Sequence, residues 1–349
     1  MRIALISTPF VSAPPRDYGG TELVVHELAE GLVEQGHHAT LFATGDSATS
    51  ADLRALFPES QWPPDGLTEL NHVSWALQQV GHQRFDVVHA NSAAALAVAR
   101  LLHGVPLVYT LHHCRDELLS RFYRHFPEVQ FVAISADQRR REIPLSRCAL
   151  IHHGVDPARY RCTPRPADYV CFVGRFAPEK APHLAIEAAG RAGVPIRIGG
   201  CTHAPDRAYG DAELEPRLHL PHVRYLGAVG MAEKIPLLRD ARALLAPVQW
   251  DEPFGLILIE AMLSGCPVVA FRRGSIPELV EPGETGFIVE SVEEMAAAIR
   301  PGGAVERIDR RRCRARAVKR FSRERMVRDY VHLYERVIWE TRPLLPVTA

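Results

Sequence analysis

Short apolar runs alternate with longer amphipathic segments along the whole chain. The first run, 3–7, is followed by the segment 21–35, whose apolar residues recur at helical spacing and which Gly36 ends. Strands that are each followed by a helix form parallel sheets covered on both faces. The pattern therefore predicts an α/β fold. The other strands predicted in the first half are 40–43, 86–89, 107–110 and 131–134.

The same alternation begins again after a proline-rich segment, 162–168, which we interpret as a domain boundary. A chain of 349 residues exceeds the usual size of one hydrophobic core, so two domains are expected. We predict two doubly wound domains, 1–162 and 163–322, that face each other across a ligand-binding cleft. A C-terminal helix at about 323–349 would pack back toward the first domain. In the second half the predicted strands are 169–174, 196–198, 223–226, 243–247, 267–271 and 287–289, and the first helix is 183–192.

The charge balance of the chain argues against one class of function. The formal net charge is zero, which is not expected of a general nucleic-acid-binding protein. Residues 300–328 are an exception, because twelve Arg and Lys residues stand there against three acids. Such a run is either a solvated helical face or a weak peripheral contact with an anionic membrane or another polyanion.

The cysteines and the apolar runs bear on the compartment of the protein. Seven cysteines are dispersed along the chain, and no two have the Cys-x2-Cys spacing of a zinc or redox site. This odd, scattered number is typical of a reducing compartment. The N-terminal apolar run is too short for a signal peptide, and no run of about eighteen apolar residues could span a membrane. We therefore expect a cytoplasmic protein.

Glu260 is the only charged residue between Glu252 and Arg272. A carboxylate in such an apolar run is costly unless a partner satisfies it, and carboxylates accept hydrogen bonds from hydroxyls. Glu252 would lie on the loop after a strand, and Glu260 just over one turn into the following helix, with the amides of 254–256 at the helix start. The pair could bind two sugars of one nucleotide sugar. The simpler alternative is a buried Glu260 paired with a nearby arginine.

Two other loops carry groups suited to phosphate. Arg175 and Lys180 follow the first strand of the second half, and these two permanent cations could form a diphosphate clamp, or they could be ordinary surface cations. Gly19 and Gly20 follow the first strand of the chain and open its first helix. They could let the backbone approach a ligand closely, or form an ordinary flexible turn. They do not form a Gly-x-Gly-x-x-Gly dinucleotide fingerprint.

His112 ends a strand of the first half, where a residue of the ligand site is expected. The neighbouring His113 could equally face the site, since alternation along the strand does not choose between them. No metal site is predicted, because the chain has no Asp-x-Asp, the usual carboxylate pair for a metal-bridged diphosphate. The diphosphate clamp of Arg175 and Lys180 would take that role, and no other cofactor is indicated.

These motifs together resemble one enzyme family. The chain is similar to the retaining glycosyltransferases of family 4, which have the GT-B fold of two Rossmann-like domains, and the resemblance covers nearly its whole length. The spacing Glu-x7-Glu within Glu-Pro-Phe-Gly-Leu-x3-Glu-Ala-Met is the most specific element, and Gly-Arg-x4-Lys upstream strengthens it. The motifs that carry the likeness are Gly19-Gly20, Thr110-Leu111-His112, Gly174-Arg175 with Lys180, and Glu252 with Glu260.

The resemblance implies that the second domain holds the donor and the first domain the acceptor. Arg175 and Lys180 would hold the diphosphate of the donor. Glu252 would hold the transferred sugar, assisted by backbone amides. Those amides are the ones of Phe254, Gly255 and Leu256.

The resemblance also implies roles for residues outside the clamp. Glu260 would bind the ribose hydroxyls, and Val229 would lie beside the nucleotide base. His112 would contact the donor sugar and help to support charge at its anomeric carbon. Gly19 and Gly20 would border the diphosphate and the acceptor.

Two departures from the family pattern are small, and one further likeness is narrower than the family. Ala181 follows the clamp lysine where the family usually has glycine, and His153 stands where it often has asparagine. Tyr-Gly-Gly-Thr-Glu at 18–22 with Phe-Ala-Thr-Gly-Asp-Ser at 42–47 resembles a subgroup labelled as UDP-glucose:tetrahydrobiopterin glucosyltransferases.

The function implied is transfer of a hexose from a nucleotide diphosphate sugar, with a UDP-sugar favoured, to a hydroxyl acceptor. The anomeric configuration would be retained, and no metal would be required. No residue is placed as an obvious nucleophile, so the resemblance implies that the leaving diphosphate helps to deprotonate the acceptor. Two alternatives stay open: an epimerase or phosphorylase on the same scaffold, and a non-catalytic subunit that binds sugar nucleotides. Loops 9–20, 46–68 and 112–128 would shape the acceptor pocket.

Overall fold

The polypeptide divides into two units in a computed structural model that describes residues 1–17, 19–102 and 104–341. Unit 1 consists of Met1–Gly154 together with the helix that begins at Arg323, and unit 2 is Val155–Ser322. The chain therefore leaves unit 1 once, completes unit 2, and returns. The division after Gly154 lies ahead of the proline-rich segment 162–168.

Unit 1 is built on a sheet of seven strands that all run parallel. Its strands are β1 Arg2–Ile6, β2 His38–Phe42, β3 Asp52–Arg54, β4 Val87–Ala90, β5 Leu107–Thr110, β6 Gln130–Ala133 and β7 Cys148–Leu150. The order across the sheet is β3-β2-β1-β4-β5-β6-β7, so the chain starts in the middle and winds first to one edge and then to the other. Every residue of β4, β5 and β6 is buried, as a sheet covered on both faces requires.

The helices that follow these strands cover the sheet. They are α1 Gly20–Glu34, α2 Gly66–Gly81, α3 Ala94–Val98, α4 Glu117–Tyr123 and α5 Ala136–Arg141. Asp65 begins α2 by accepting hydrogen bonds from the amides of Leu67 at 3.0 Å and Thr68 at 2.9 Å, as an N-cap does. Helix α1 has no such side-chain cap and is held by burial on all sides, since every residue from Glu22 to Ala29 is buried.

Unit 2 contains a second parallel sheet, of six strands. Its strands are β8 Val170–Val173, β9 Ile196–Gly199, β10 Val223–Tyr225, β11 Leu244–Ala246, β12 Val268–Phe271 and β13 Gly286–Val289. The order β10-β9-β8-β11-β12-β13 repeats that of the first six strands of unit 1. The predicted α/β class, with two doubly wound Rossmann-like units, is confirmed. In each unit the winding reverses beside the first strand, which is where such folds bind ligands.

The helices of unit 2 include one that starts in an unusual way. They are α6 Pro182–Ala192, α7 Arg207–Tyr209, α8 Glu215–Leu218, α9 Met231–Asp240, α10 Leu256–Leu263, α11 Ile276–Leu279, α12 Val292–Ile299 and α13 Arg310–Phe321. Pro182 suits the first position of α6 because it has no amide hydrogen to leave unpaired. Ala181 before it has a φ of 50°, the one positive φ of a non-glycine residue in the described ranges. This left-handed backbone explains why glycine is common at this position in the family.

The last helix, α14 Arg323–Thr341, belongs to unit 1. Arg323 at its start pairs with Glu34 of α1 at 2.9 Å. Further along, the hydroxyl of Tyr334 lies 2.7 Å from Nδ1 of His89, and both side chains are buried. The helix is therefore part of the core of unit 1, although nearly half of the chain separates it from the strands that it covers.

Several arginines of the basic segment 300–328 are engaged within unit 2. Arg310 is 6% exposed and donates to three backbone carbonyls. Arg316 and Arg320 pair with Glu281 at 3.1 and 2.8 Å. These contacts use part of the local excess of positive charge, and contact with a membrane surface stays a prediction. Within the described ranges, no helix has the length and apolar character needed to cross a bilayer.

Candidate active site

Three loops meet at one edge of the unit 2 sheet, because β8, β11 and β12 are parallel neighbours. The loop after β8 carries Arg175 and Lys180, and the loop after β11 carries Glu252. The ammonium of Lys180 forms an ion pair with Oε2 of Glu252. The fold therefore joins two predicted site residues that lie far apart in the sequence.

Trp250 completes the contact between Lys180 and Glu252. Its indole Nε1 donates to Glu252 Oε2 at 2.9 Å, and the Lys180 ammonium lies 4.7 Å from the ring centroid. Glu252 is only 8% exposed, so two donors hold its carboxylate in a largely desolvated position. Trp250 is not among the residues predicted from sequence, because nothing in its local pattern distinguishes it from an ordinary core aromatic.

Arg175, the other cation of the diphosphate clamp, has different partners. One guanidinium nitrogen donates to Oδ2 of Asp206 and another to Oε1 of Glu179. Both clamp cations are therefore paired with carboxylates, and an anion bound by the clamp would compete with these carboxylates for the same donors. The pairings also hold the two cations in place, which reduces the side-chain ordering that binding requires.

The loop that carries Glu252 is shaped by the loop after β12. The amide of Ser275 donates to the carbonyl of Glu252 at 2.9 Å, and its hydroxyl donates to the carbonyl of Phe254 at 2.7 Å. Gly274 has a φ of 52°, and a Cβ there would lie 2.4 Å from both the amide nitrogen and the carbonyl oxygen of Glu252. Only glycine fits this position. Gly274 and Ser275 thus position Glu252, a role that their sequence alone does not indicate.

Helix α10 begins directly after this loop. Gly255, with a φ of 89°, precedes its first residue, Leu256. The amides of 254–256 therefore lie at a helix N-terminus, where the helix dipole favours negative charge. Phe254 is buried and packs edge-on against Phe321, with ring centroids 6.2 Å apart, which anchors the start of the helix in the core.

Glu260 lies one turn into α10 and is 2% exposed. Its Oε1 accepts hydrogen bonds from the hydroxyl of Tyr160 at 2.9 Å and from the ammonium of Lys234 at 2.7 Å. The charged partner of Glu260 within the protein is thus a lysine. The simpler alternative that we considered, a buried Glu260 paired with an arginine, named a different residue type. Its Oε2 accepts no hydrogen bond from any residue in the described ranges, so one oxygen of this carboxylate is available to a ligand hydroxyl.

Val229 lies in the loop between β10 and α9, which follows the carboxyl end of β10. A Cβ built on Gly199, the last residue of β9, would lie 2.6 Å from Cγ2 of Val229. The valine therefore packs directly on the backbone at the carboxyl end of β9, the strand next to β8. Its contact with a nucleotide base stays a prediction.

In unit 1 the glycine pair follows β1. Gly20 is the first residue of α1, and a Cβ on Gly19 would lie 2.9 Å from Oε2 of Glu22. Glu22 is buried, which raises the pKa of its carboxyl, and the hydroxyl of Thr8 bonds to its other oxygen. A Cβ at 19 would also lie 2.9 Å from Cβ of the rigid Pro15, which accounts for a glycine there, and a ligand contact stays a prediction. Tyr18 lies outside the described residues.

His112 lies just beyond the carboxyl end of β5. Its Nε2 is 2.8 Å from Oδ1 of Asn91, and its ring stacks on His153 with centroids 5.3 Å apart and planes 16° apart. Burial, and to a smaller extent the neighbouring His113, lowers the pKa of His112 to about 3. The imidazole is therefore neutral at neutral pH.

The geometry distinguishes His112 from His113. His113 uses both ring nitrogens within unit 1, with Nδ1 2.6 Å from the carbonyl of Cys114 and Nε2 2.6 Å from the hydroxyl of Tyr123. The Nδ1 of His112 forms no hydrogen bond with a residue in the described ranges. His112 is thus the histidine of the pair that can offer a ring nitrogen to a ligand, and its contact with a donor sugar stays a prediction.

Gln138 on α5 fixes the backbone on either side of His112. Its side-chain Nε2 donates to the carbonyls of Leu111 at 2.9 Å and His113 at 2.8 Å, and its Oε1 accepts from the amide of Ile134 at 2.8 Å. The side chain is 5% exposed. Like Asn91, it gives no sequence signal of a role at the site, because each is a single amide whose contact with the segment around His112 spans more than twenty residues.

Comparison with known families identifies both halves of the chain. The profile described as Glycosyltransferase Family 4 matches residues 18–159, and the profile described as Glycosyl transferases group 1 matches residues 163–319. The fold and these matches define a GT-B glycosyltransferase. The chain belongs to the group 1, family 4-like glycosyltransferases and transfers a sugar from a nucleotide sugar.

Individual relatives agree with this assignment. The D-inositol 3-phosphate glycosyltransferase of Streptomyces scabiei is 26% identical over 85% of this chain and 81% of its own. The phosphatidyl-myo-inositol mannosyltransferase of Mycobacterium tuberculosis is 28% identical over 86% of each. Among solved structures, AviGT4, a glycosyltransferase involved in avilamycin A biosynthesis, is 25% identical with a TM-score of 0.76, covering 97% of this chain and 98% of its own. The prediction of an enzyme of the hexosyltransferase type is confirmed.

Proposed function

We propose that this enzyme transfers a hexose from a nucleotide diphosphate sugar to a hydroxyl acceptor, with retention of configuration, without a metal ion, and with a UDP-sugar as preferred donor. The observation that carries the proposal is the pair of Lys180 and Glu252 at the carboxyl edge of the unit 2 sheet, just ahead of α10. A cation, a carboxylate and a helix N-terminus in one place match the diphosphate and the sugar hydroxyls of such a donor.

Donor binding would exchange the partners of the diphosphate clamp. The diphosphate replaces Glu252 at Lys180, and it replaces Glu179 and Asp206 at Arg175. The released Glu252 carboxylate then accepts hydrogen bonds from hydroxyls of the transferred sugar. The clamp stabilises the charge that develops on the leaving diphosphate, which is the largest task of a catalyst for this reaction.

The ribose would be bound by Glu260. Lys234 and Tyr160 fix Oε1 of this carboxylate, so its Oε2 is held in one orientation for a ribose hydroxyl. A nucleotide bound this way gives a partner to the second oxygen of this buried carboxylate, Oε2, while Lys234 and Tyr160 keep Oε1.

In the transfer step, the acceptor oxygen bonds to the anomeric carbon on the face from which the diphosphate departs. The bond from that carbon to the diphosphate oxygen breaks, and the same leaving oxygen takes the proton of the acceptor hydroxyl. His112, neutral at the pH of the reaction, accepts a hydrogen bond from a hydroxyl of the donor sugar through Nδ1. The protein thus positions the substrates and supports charge, without forming a covalent bond itself.

The clamp is tested by removing each cation in turn. Arg175→Ala and Lys180→Ala are expected to raise the barrier for sugar transfer by about 2–4 kcal/mol, because each loses a contact to the developing charge. Lys319→Ala is the matched control, since this lysine is exposed on α13. The measurement is kcat/KM from nucleotide release with UDP-, GDP- and ADP-sugars, each with and without EDTA. Near-normal kcat/KM in both clamp variants would contradict the clamp, and a reversible loss on chelation would contradict metal independence.

The subgroup that the sequence resembles suggests which acceptor to test first. A tetrahydropterin is the first acceptor to test, beside simple polyols, and the product is analysed for the configuration of its new glycosidic bond. An inverted anomeric centre would overturn the proposed retention.

A further inference from the structure

Asn91 determines which nitrogen of His112 carries the proton. The backbone amide and the side-chain Nδ2 of Asn91 each donate to the carbonyl of Ile6 at 3.1 Å. The NH2 group of the side chain is thereby turned toward β1, and its Oδ1 is left for Nε2 of His112, 2.8 Å away. Because a carbonyl oxygen only accepts hydrogen bonds, Nε2 must carry the proton and Nδ1 must keep its lone pair.

The groups around His112 keep the ring neutral. His153 stacks on it and is itself buried, and His113 and His89 are the other titratable groups that interact with it. Burial, and to a smaller extent His112 and Arg325, lower the pKa of His153, and the Arg325 guanidinium donates to the carbonyl of His153 at 2.8 Å. Among the described residues that interact with the His112 ring, none is a carboxylate, so nothing there favours an imidazolium.

We propose that Asn91 is a positioning residue for sugar transfer, which holds His112 in the Nε2–H tautomer so that Nδ1 offers a lone pair to the sugar. The inference rests on the proposed function, because it requires that His112 faces a sugar substrate. Asn91 does not itself contact the substrate. Its effect is exerted through the ring that it orients.

The lone pair matters because of the charge that forms during transfer. As the bond to the diphosphate breaks, positive charge develops at the anomeric carbon, and the negative end of a neutral imidazole stabilises it. An N–H at the same place, in the other tautomer or in an imidazolium, would present positive charge instead. The tautomer thus affects the barrier as well as the binding of the donor sugar.

The test replaces the side-chain amide of Asn91 by the carboxylate of aspartate, which has nearly the same shape. Asn91→Asp places a carboxylate beside the Nε2–H group of His112. The negative charge of this carboxylate raises the pKa of His112 and favours the imidazolium. We expect kcat/KM to gain an acid limb between about pH 5 and 8, falling on the order of 10- to 100-fold at the acid end and recovering toward alkaline pH. The chain has one other asparagine, Asn71, which is exposed on α2, and Asn71→Asp should keep the wild-type pH profile.

A second measurement reads the tautomer without activity. In the full chain labelled with ¹⁵N-histidine, the His112 signals are identified by their loss in His112→Gln. We expect the wild type to show a protonated Nε2 and an unprotonated Nδ1 throughout this pH range, and Asn91→Leu to show a mixture of tautomers. A wild-type ring protonated at Nδ1, or an unchanged ring in Asn91→Leu, overturns the proposal even if the Asn91→Asp protein does not fold.

The two measurements separate this inference from the function on which it rests. If the wild type releases no nucleotide from any donor, the proposed function fails while the tautomer is still decided by the spectra. If the wild type is active and Asn91→Asp has the pH profile of Asn71→Asp, the positioning role is wrong and the proposed function stands.

Discussion

Glu260 shows how a charge can be placed in an apolar helix. Its carboxylate is 2% exposed, and its charge is met by Lys234, itself only 14% exposed, with Tyr160 as a second donor. A buried pair of this kind adds little net stability compared with an apolar pair, but breaking it leaves an uncompensated charge. Lys234 therefore offsets most of the free energy needed to bury the charge of Glu260. The other oxygen of Glu260 remains available to a ligand.

Lys234→Met tests this dependence because it keeps the aliphatic stem of the side chain and removes only the charge. The free energy of unfolding is expected to fall by about 3 kcal/mol or more, since Glu260 then keeps only the hydroxyl of Tyr160. Lys319→Met is the control on the exposed face of α13, and a change within about 0.5 kcal/mol is expected there. Urea denaturation at neutral pH measures both. Equal, small losses would mean that Glu260 is satisfied without Lys234.

The loop between β11 and α10 shows how one element shapes another. Glu252 is held by the two residues Gly274 and Ser275, which follow β12, the neighbouring strand. Because the carbonyl and the amide of Glu252 both lie against Gly274, any side chain at 274 must displace the backbone that carries the carboxylate.

Gly274→Ala is expected to lower kcat/KM for the donor at least about tenfold, because Glu252 moves relative to Lys180. Gly283→Ala is a matched control: its φ of 79° imposes the same left-handed backbone, but nothing lies within 4 Å of a Cβ there. Both variants should lose about 1–2 kcal/mol of stability from the left-handed backbone. Gly274→Ala should lose more than Gly283→Ala, because its Cβ also displaces the backbone of Glu252, and only Gly274→Ala should lose activity. Similar kcat/KM values in the two variants would show that the position of Glu252 does not depend on this contact.

The central strands could be predicted because their burial is written as continuous apolar runs, whereas β3 and β7 could not. β3 reads Asp-Leu-Arg, which contains no apolar run, and the three residues of the edge strand β7 are all only partly buried. The site divides in the same way. Lys180 and Glu252 belong to motifs with a fixed local spacing, while Asn91, Gln138 and Gly274 act through contacts with distant segments. Which groups pair with the clamp cations likewise depends on the folded chain, and no spacing rule indicates it.

At the scale of the whole molecule, the two units differ in how they bury histidine. Four histidines of unit 1 are held neutral: burial is the largest cause, and it lowers the pKa of His72 to about 4, those of His89 and His112 to about 3, and that of His153 well below 6.5. In unit 2, burial lowers the pKa of His183 as well, but that side chain remains partly exposed. The stability of unit 1 should therefore depend more steeply on pH.

The sign of this dependence follows from where the protons bind. A histidine whose folded pKa is depressed costs nothing above its unfolded value of about 6.5, where both states are neutral. Below that value the histidine is protonated in the unfolded chain but stays neutral in the folded unit. Each such histidine then lowers the free energy of unfolding by up to about 1.4 kcal/mol per pH unit until its folded pKa is reached. Burial raises the pKa of Glu22, which acts in the opposite sense and offsets part of the loss.

We therefore expect acidification from about pH 7.5 to 5.5 to weaken unit 1 before unit 2. Hydrogen exchange, resolved by peptide and corrected for intrinsic rates, should show lost protection in β4 and β5 while β8 and β11 keep theirs. His72→Leu should reduce the acid sensitivity of unit 1, because His72 is fully buried and stays neutral in the folded unit at these pH values. His82→Leu, at the exposed end of the same helix, should leave it unchanged. Protection lost first in unit 2, or equally in both variants, would mean that other groups control the response to acid.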